Sequence, residues 1–241
     1  MTYPLFEDTA DDLALHPESG WLDPNDLHAQ VIDLDYGMAI LADCSGGGSA
    51  GDTVSHIATG AIYACMQQGM RDFDWSAQAD DAARIHEMML DAIARAQLRV
   101  AQLTSQGPRQ DGIATSMMIA LFHTDQAIVA HAGGALLFLM RDGRMQLLSR
   151  TSPAVELGMH ATQPGDLYLL CSAEVPHMLS TEEIKALLCA YHDHPETAYA
   201  ALMARVNDHD AHHDSAIILV KLEPAATQMA GFFGRIFSHH A

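Results

Sequence analysis

Leu41-Ala42-Asp43-Cys44-Ser45-Gly46-Gly47-Gly48-Ser49-Ala50-Gly51-Asp52-Thr53-Val54-Ser55 is where the pattern of the chain changes. An apolar run from Gly37 to Ala42 delivers one carboxylate, Asp43, into a glycine-rich turn, and a helical pattern begins near Asp52. A strand holds such an acid rigidly while the loop exposes it, which suits metal or catalytic work. An ordinary strand–turn–helix connection has the same pattern, so these residues alone leave both readings open. The glycines are not a phosphate cradle: no Lys-Ser or Lys-Thr follows them, and dinucleotide-fingerprint spacing is not met.

Upstream, Gly20 to Asp26 reads as a turn, and residues 1–19, with Pro4 and Pro17, form an acidic, irregular segment. The runs His28 to Leu34 and Gly37 to Ala42 then predict a β-hairpin. Downstream, Thr53 to Gly69 carries Val54, Ile57, Ala58, Ala61, Ile62 and Cys65 at helical steps. Ser76 is an expected N-cap for a longer helix whose face includes Ile85, Met88, Met89, Ile93 and Val100, the methionines filling core. From Gly112 the pattern turns to strands over Met117 to Phe122, Ala127 to His131 and Leu136 to Met140. Asp142-Gly143 predicts a tight turn into Met145 to Leu148. Ser180-Thr181-Glu182-Glu183 is a capping box opening one of two further helices, Ser180 to Ala190 and Pro195 to Val206.

Composition narrows the function classes. The chain has 241 residues, 49% hydrophobic, enough for one large domain with a sizeable core. Lys+Arg 12 against Asp+Glu 31 gives −19, a balance that repels nucleic acid and anionic lipid. No apolar stretch approaches the roughly 18 residues of a membrane helix, so membrane insertion is not expected. Met1 to Asp12 lacks a basic start followed by an apolar run, and Cys44, Cys65, Cys171 and Cys189 have no paired spacing. Both features point to reduced thiols in a cytoplasmic protein.

The segment Gly46 to Ser55 resembles, without a gap, the Ala-Asp-Gly-Met-Gly-Gly…Ala-Gly-Glu…Ser signature of the metal-dependent serine/threonine phosphatases of type 2C (PPM type). Further matches follow in family order. Gly112-Ile113-Ala114-Thr115-Ser116 stands against Gly-Met-Gly-Thr-Thr, and Ala130-His131-Ala132-Gly133-Gly134 against Ala-His-Val-Gly-Asp. Gly165-Asp166…Leu169-Leu170-Cys171-Ser172-Ala173 stands against Gly-Asp…Leu-Leu-Cys-Ser-Asp, and Asp214-Ser215-Ala216-Ile217 against Asp-Asn-Ile-Thr. The resemblance spans about residues 20–222, leaving 223–241 as a C-terminal tail. It implies an α+β fold, a four-layer αββα sandwich of two antiparallel sheets flanked by helices. The segment Ser149 to Thr162 is shorter than the substrate-recognition flap of many bacterial members.

The family reaction uses two divalent ions, Mn²⁺ or Mg²⁺, that activate a water against a phosphoester. By resemblance Asp43 would bridge both ions, Asp26 would support them, Asp214 would hold one, and the Cys44 carbonyl would replace a glycine carbonyl. Against this, Ala173 stands where the family has a ligand aspartate, Gly134 where it has the acid of a third metal, and Ser215 where it has asparagine. No arginine precedes Arg71, so the phosphate clamp is missing. Glu174, one residue late, is the neighbour that could substitute for Ala173. The resemblance thus implies a phosphatase-like domain with an incomplete dinuclear site, a pseudophosphatase that binds or regulates a protein partner. The alternative is an active enzyme with a reduced site, acting on phosphoserine or phosphothreonine of a phosphoprotein. In the first case no cofactor is needed; in the second a weakened Mn²⁺ or Mg²⁺ site is.

Two further segments stand out. Asp208 to Asp214 contains His209, His212 and His213 and reads either as a transition-metal cluster or as a solvated loop. Phe232-Phe233-Gly234-Arg235-Ile236-Phe237 reads either as a docking peptide or as a tail that packs back on the domain.

Overall fold

The expected hairpin forms from β1 (Ala29–Asp33) and β2 (Met38–Ser45), antiparallel, with Ala29 opposite Ala42. The computed structural model describes residues 29–45, 49–73, 81–106, 114–123, 125–209, 215–223 and 234–237. Asp33 Oδ1 accepts the backbone N–H groups of Asp35 and Tyr36, which sets the turn between the two strands. α1 (Ser49–Arg71) starts ahead of the pattern read from Asp52, and α2 (Asp81–Gln106) follows. Ser76, the expected cap of α2, lies outside the described residues.

The strand runs become β3 (Ala114–His123), β4 (Gln126–Gly133), β5 (Leu136–Arg141) and β6 (Arg144–Leu147). Asp142 and Gly143 turn the β5–β6 hairpin at φ 51° and 69°, the left-handed pair such a turn requires. Most of the segment Ser149 to Thr162 is itself a strand, β7 (Ser152–Ala161), so it holds no flap. β8 (Leu167–Cys171) is followed by a one-turn helix, α3 (Val175–Met178), which the sequence pattern does not predict. α4 (Thr181–Ala190) opens on the expected capping box, with Ser180 and Glu183 bonded reciprocally. α5 (Pro195–His209) and β9 (Ile217–Leu222) complete the order, and the tail packs back as β10 (Gly234–Phe237), with Ile236 opposite Val220.

The strands form two five-stranded antiparallel sheets, ordered β1-β2-β3-β4-β7 and β10-β9-β8-β5-β6. Three apolar layers hold them. Ile40, Ile119 and Ala130 pack with Ile62, Met66, Met89 and Ile93 of α1 and α2. Leu41, Met118 and Val129 meet Tyr168, Leu170 and Ile218 between the sheets. Leu169 and Leu219 pack with Ile184, Leu188 and Leu202 of α4 and α5. The four-layer αββα sandwich is therefore the observed architecture. Each sheet is covered on both faces, which is why β2, β8 and β9 read as continuous apolar runs rather than alternating ones.

At one end of the sandwich an ion pair ties the β5–β6 turn to the entry of β8. Asp166, 1% exposed, accepts Arg141 Nε at 2.7 Å and Nη2 at 2.6 Å, the Gln163 N–H at 2.8 Å and the Tyr168 hydroxyl at 3.3 Å. Removing the partly exposed arginine strands a buried charge. Arg141→Ala is therefore expected to cost about 3–5 kcal/mol in urea unfolding. The double variant Arg141→Met/Asp166→Leu, which leaves no charge behind, should recover part of that loss; equal losses in both would contradict this account.

Candidate functional site

Alternation along each strand decides which side chains reach the other end of the sandwich. In β2, Ala39 and Leu41 face the opposite sheet, so Asp43 is carried on that same inner face. Ala42 and Cys44 pack toward α1 and α2. Asp43 pairs in register with Ser116, and Ser116 shares its face of β3 with inward Met118. In the other sheet Ser172 follows inward Leu170, and Ala216 is itself among the inter-sheet residues. The Ser172 N–H donates to the Ala216 carbonyl at 3.0 Å, and Ser172 Oγ accepts the Ala216 N–H at 3.3 Å.

The crossing from β4 to β5 brings the two sheets together beside these residues. Gly133 has φ 83°, and a Cβ there would meet Ser116 Cα at 2.8 Å and the Thr115 carbonyl at 2.9 Å. Backbone conformation and space both demand glycine. Gly134 donates its N–H to Ser116 Oγ at 2.9 Å. A Cβ on Gly134 would lie 2.8 Å from the Ala173 Cβ, closer than real Cβ atoms approach. The two positions where the resemblance expects aspartates therefore converge on one spot, and there a bare glycine abuts a methyl group.

The remaining expected residues divide as follows. The Cys44 side chain points away from the inner face, its Sγ donating to Thr115 Oγ1 at 3.3 Å, so it does not crowd the site. Ser215 is buried, at 4% exposure, and its Oγ has no hydrogen-bond partner. Glu174 Oε2 is also buried and without a partner. Burial, and secondarily the charge of Glu174, push the Cys171 thiol up. Cys171 itself packs toward α4 and α5. Asp26, Asp214, His212 and His213 lie outside the described residues, as does the side chain of His209 at the end of α5.

A pair of hard dications needs several converging oxygen ligands, most of them anionic. The described inner face offers Asp43 with the hydroxyls of Ser116 and Ser172. Among the described residues no group of three or more His, Cys, Asp or Glu side chains could hold a metal ion. These described donors alone are fewer than a dinuclear centre takes, and the other two expected carboxylates, Asp26 and Asp214, lie outside the described residues. Ser116 was visible in the sequence only as a motif match; its place beside Asp43 and Gly134 follows from strand register, which composition does not carry. Among the described residues, a cavity of about 280 Å³ lies at the opposite end, lined by residues including Arg141, Asp166, Cys189 and His192.

No family model and no curated protein matches the sequence. Solved structures do match in shape. The Mycobacterium tuberculosis serine/threonine phosphatase PstP/Ppp aligns with TM-score 0.65 and 19% identity, covering 86% of this chain and 96% of its own. PppA, a key regulatory component of T6SS in Pseudomonas aeruginosa, aligns with TM-score 0.66 and 18% identity, over 83% and 92%. The PstP catalytic domain solved in complex with two manganese ions aligns with TM-score 0.61 and 19% identity, over 84% and 93%. The fold is thus that of the PPM-type serine/threonine phosphatases.

His131 stands near this end on the inner face of β4, 4% exposed, with Nδ1 unpartnered and Nε2 4.0 Å from Glu156. Burial, only partly opposed by Glu156, holds its imidazole below the ordinary range. Stability from this depressed pKa is fully present above the unfolded value of about 6.5 and is lost as pH falls toward the folded value. His123 and His160 are shifted the same way by burial. Urea unfolding is expected to weaken on acidification below about pH 6.5, by up to about 1.4 kcal/mol per pH unit for each such histidine. His131→Phe should flatten that slope; an unchanged slope would remove His131 from the account.

Proposed function

We propose that this chain is a phosphatase-fold module without phosphatase chemistry, working as a regulatory or protein-binding domain. The observation that carries the proposal is the contact between Gly134 and Ala173. Where the resemblance expects two acids, the backbone is so close that a Cβ on Gly134 would overlap the Cβ of Ala173. A corner packed this closely leaves no room for a carboxylate at 134. The missing arginine before Arg71 points the same way, because without a phosphate clamp a phosphoester is neither held nor oriented.

The ligand of such a module is a protein, either a folded partner or a phosphoprotein. A net charge of −19 favours a partner presenting a basic surface. PppA supplies a precedent in name for a regulatory role on this fold. A second reading rests on a specific residue: Asp43 is kept on the inner face, and PstP on the same fold holds two manganese ions. In that reading Asp26 and Asp214 join Asp43 around one or two Mn²⁺ or Mg²⁺ ions, and the chain is a weak phosphoprotein phosphatase. His209, His212 and His213 remain the alternative ligands for a transition metal.

Hydrolysis of an aryl phosphate at millimolar Mn²⁺ separates the two readings. The full chain is expected to be no faster than Asp43→Ala. Turnover that Asp43→Ala abolishes would make the chain an enzyme and end the proposal. Ala173→Asp is the informative gain variant, because Ala173 already has the Cβ from which a carboxylate can be built. It is expected to raise Mn²⁺ affinity by at least about tenfold, while Gly134→Asp should instead lower stability by about 1–3 kcal/mol through overpacking.

A further inference from the structure

β7 ends its sheet, and no described strand pairs with its outer edge. Such an edge offers unpaired N–H and C=O groups to another chain unless charge, proline or a bulge blunts it. β7 has Pro153 near one end, but Glu156 is the one Asp, Glu, Lys or Arg over its length. Leu157 and Met159 are 41% and 50% exposed.

The direction of each backbone group follows from one hydrogen bond. The Thr162 N–H donates to the Asp125 carbonyl at 2.7 Å, one step beyond the pair Gln126 and Ala161. Antiparallel pairs alternate between bonded and non-bonded. Glu156, Gly158 and His160 therefore turn their backbone groups toward β4, while Val155, Leu157, Met159 and Ala161 turn theirs outward. Arg141 Nη2 donates to the Ala161 carbonyl at 2.8 Å, leaving the stretch from Val155 to Met159 as the edge that is open among the described residues.

We propose that this edge is a self-association surface: two copies of the chain pair antiparallel through β7 about a two-fold axis at Gly158, joining two five-stranded sheets into one. The occupant is a second copy because the strand is complementary to itself in this register. Leu157 falls opposite the partner's Met159, outward group facing outward group, so each such pair exchanges two hydrogen bonds. On the other face, Glu156 falls opposite the partner's His160, a carboxylate against an imidazole N–H. Centring the axis on Leu157 would set Glu156 against the partner's Gly158, and centring it on Met159 would set Glu156 against the partner's Thr162. Neither pairs apolar with apolar and acid with base together. A closed two-fold interface of this kind is self-limiting, because each copy uses its one β7 edge. The surface is independent of the metal question.

Sedimentation velocity on the full chain at about 50 μM is expected to give twice the chain mass, in the range where modest interfaces associate. Met159→Pro removes an N–H that points outward and spares the ladder to β4, so it should yield a monomer with unchanged circular dichroism. Gly158→Cys should form a covalent dimer on mild oxidation, because a non-bonded pair on the axis brings its Cα atoms to about 4.5 Å, within disulfide range. The atoms nearest its new Cβ belong to the movable ring of His160. Leu157→Cys and the native chain, with its four free cysteines, should not cross-link this way. A monomeric native chain that Gly158→Cys does not cross-link would overturn the proposal. So would a dimer that Met159→Pro leaves intact.

Discussion

The crossing from one sheet to the other at Gly133 and Gly134 is the constraint on which the functional end of the molecule depends. Gly133 must be glycine, because its positive φ and the backbone of Thr115 and Ser116 leave no place for a side chain. Gly134 is then delivered against Ala173, with its N–H held by Ser116 Oγ. Three strands from two sheets are thereby locked at one point. Whatever chemistry that end supports is decided by how much side chain this contact admits. In this chain it admits a methyl group.

The opposite end is organised by charge rather than by closeness. Asp166 gathers Arg141, the Gln163 amide and Tyr168, and so joins the β5–β6 turn to the start of β8. Asp166 belongs to the same Gly-Asp…Cys-Ser stretch whose far end carries Ala173 where the resemblance expects an acid. On the proposed reading, one motif contributes a structural carboxylate and lacks a functional one. A fold can keep its architecture after a site has changed, because the residues that fix the sandwich differ from those that would hold ions.

Much of the fold was legible in the sequence, for identifiable reasons. The hairpin around Asp33, the Asp142-Gly143 turn and the Ser180 capping box have local chemistry that needs no partner. Order and pairing of the doubly buried strands do not follow from periodicity, since both faces of β2 and β9 are apolar. The family resemblance implies the layering of two sheets between helices, and the strand order comes from the structure. β7 was missed because its exposed residues, Pro153 and Gly158 give no strand pattern by themselves; it exists because β4 needs a neighbour and α2 a surface, as the His86 contact to the Gly158 carbonyl at 3.2 Å reflects. The site was legible only as positions. That Ala173 and Gly134 touch, and that Cys44 turns away to Thr115, are properties of packing between segments far apart in the chain.

On the proposed reading, the inner face at Asp43 does not assemble a pair of divalent ions. Calorimetric titration of Mn²⁺ into metal-stripped full chain tests it directly. No saturable binding with a dissociation constant tighter than about 1 mM is expected, that is, no binding free energy beyond about 4 kcal/mol. Two-site binding in the micromolar range, lost on Asp43→Ala, would contradict it.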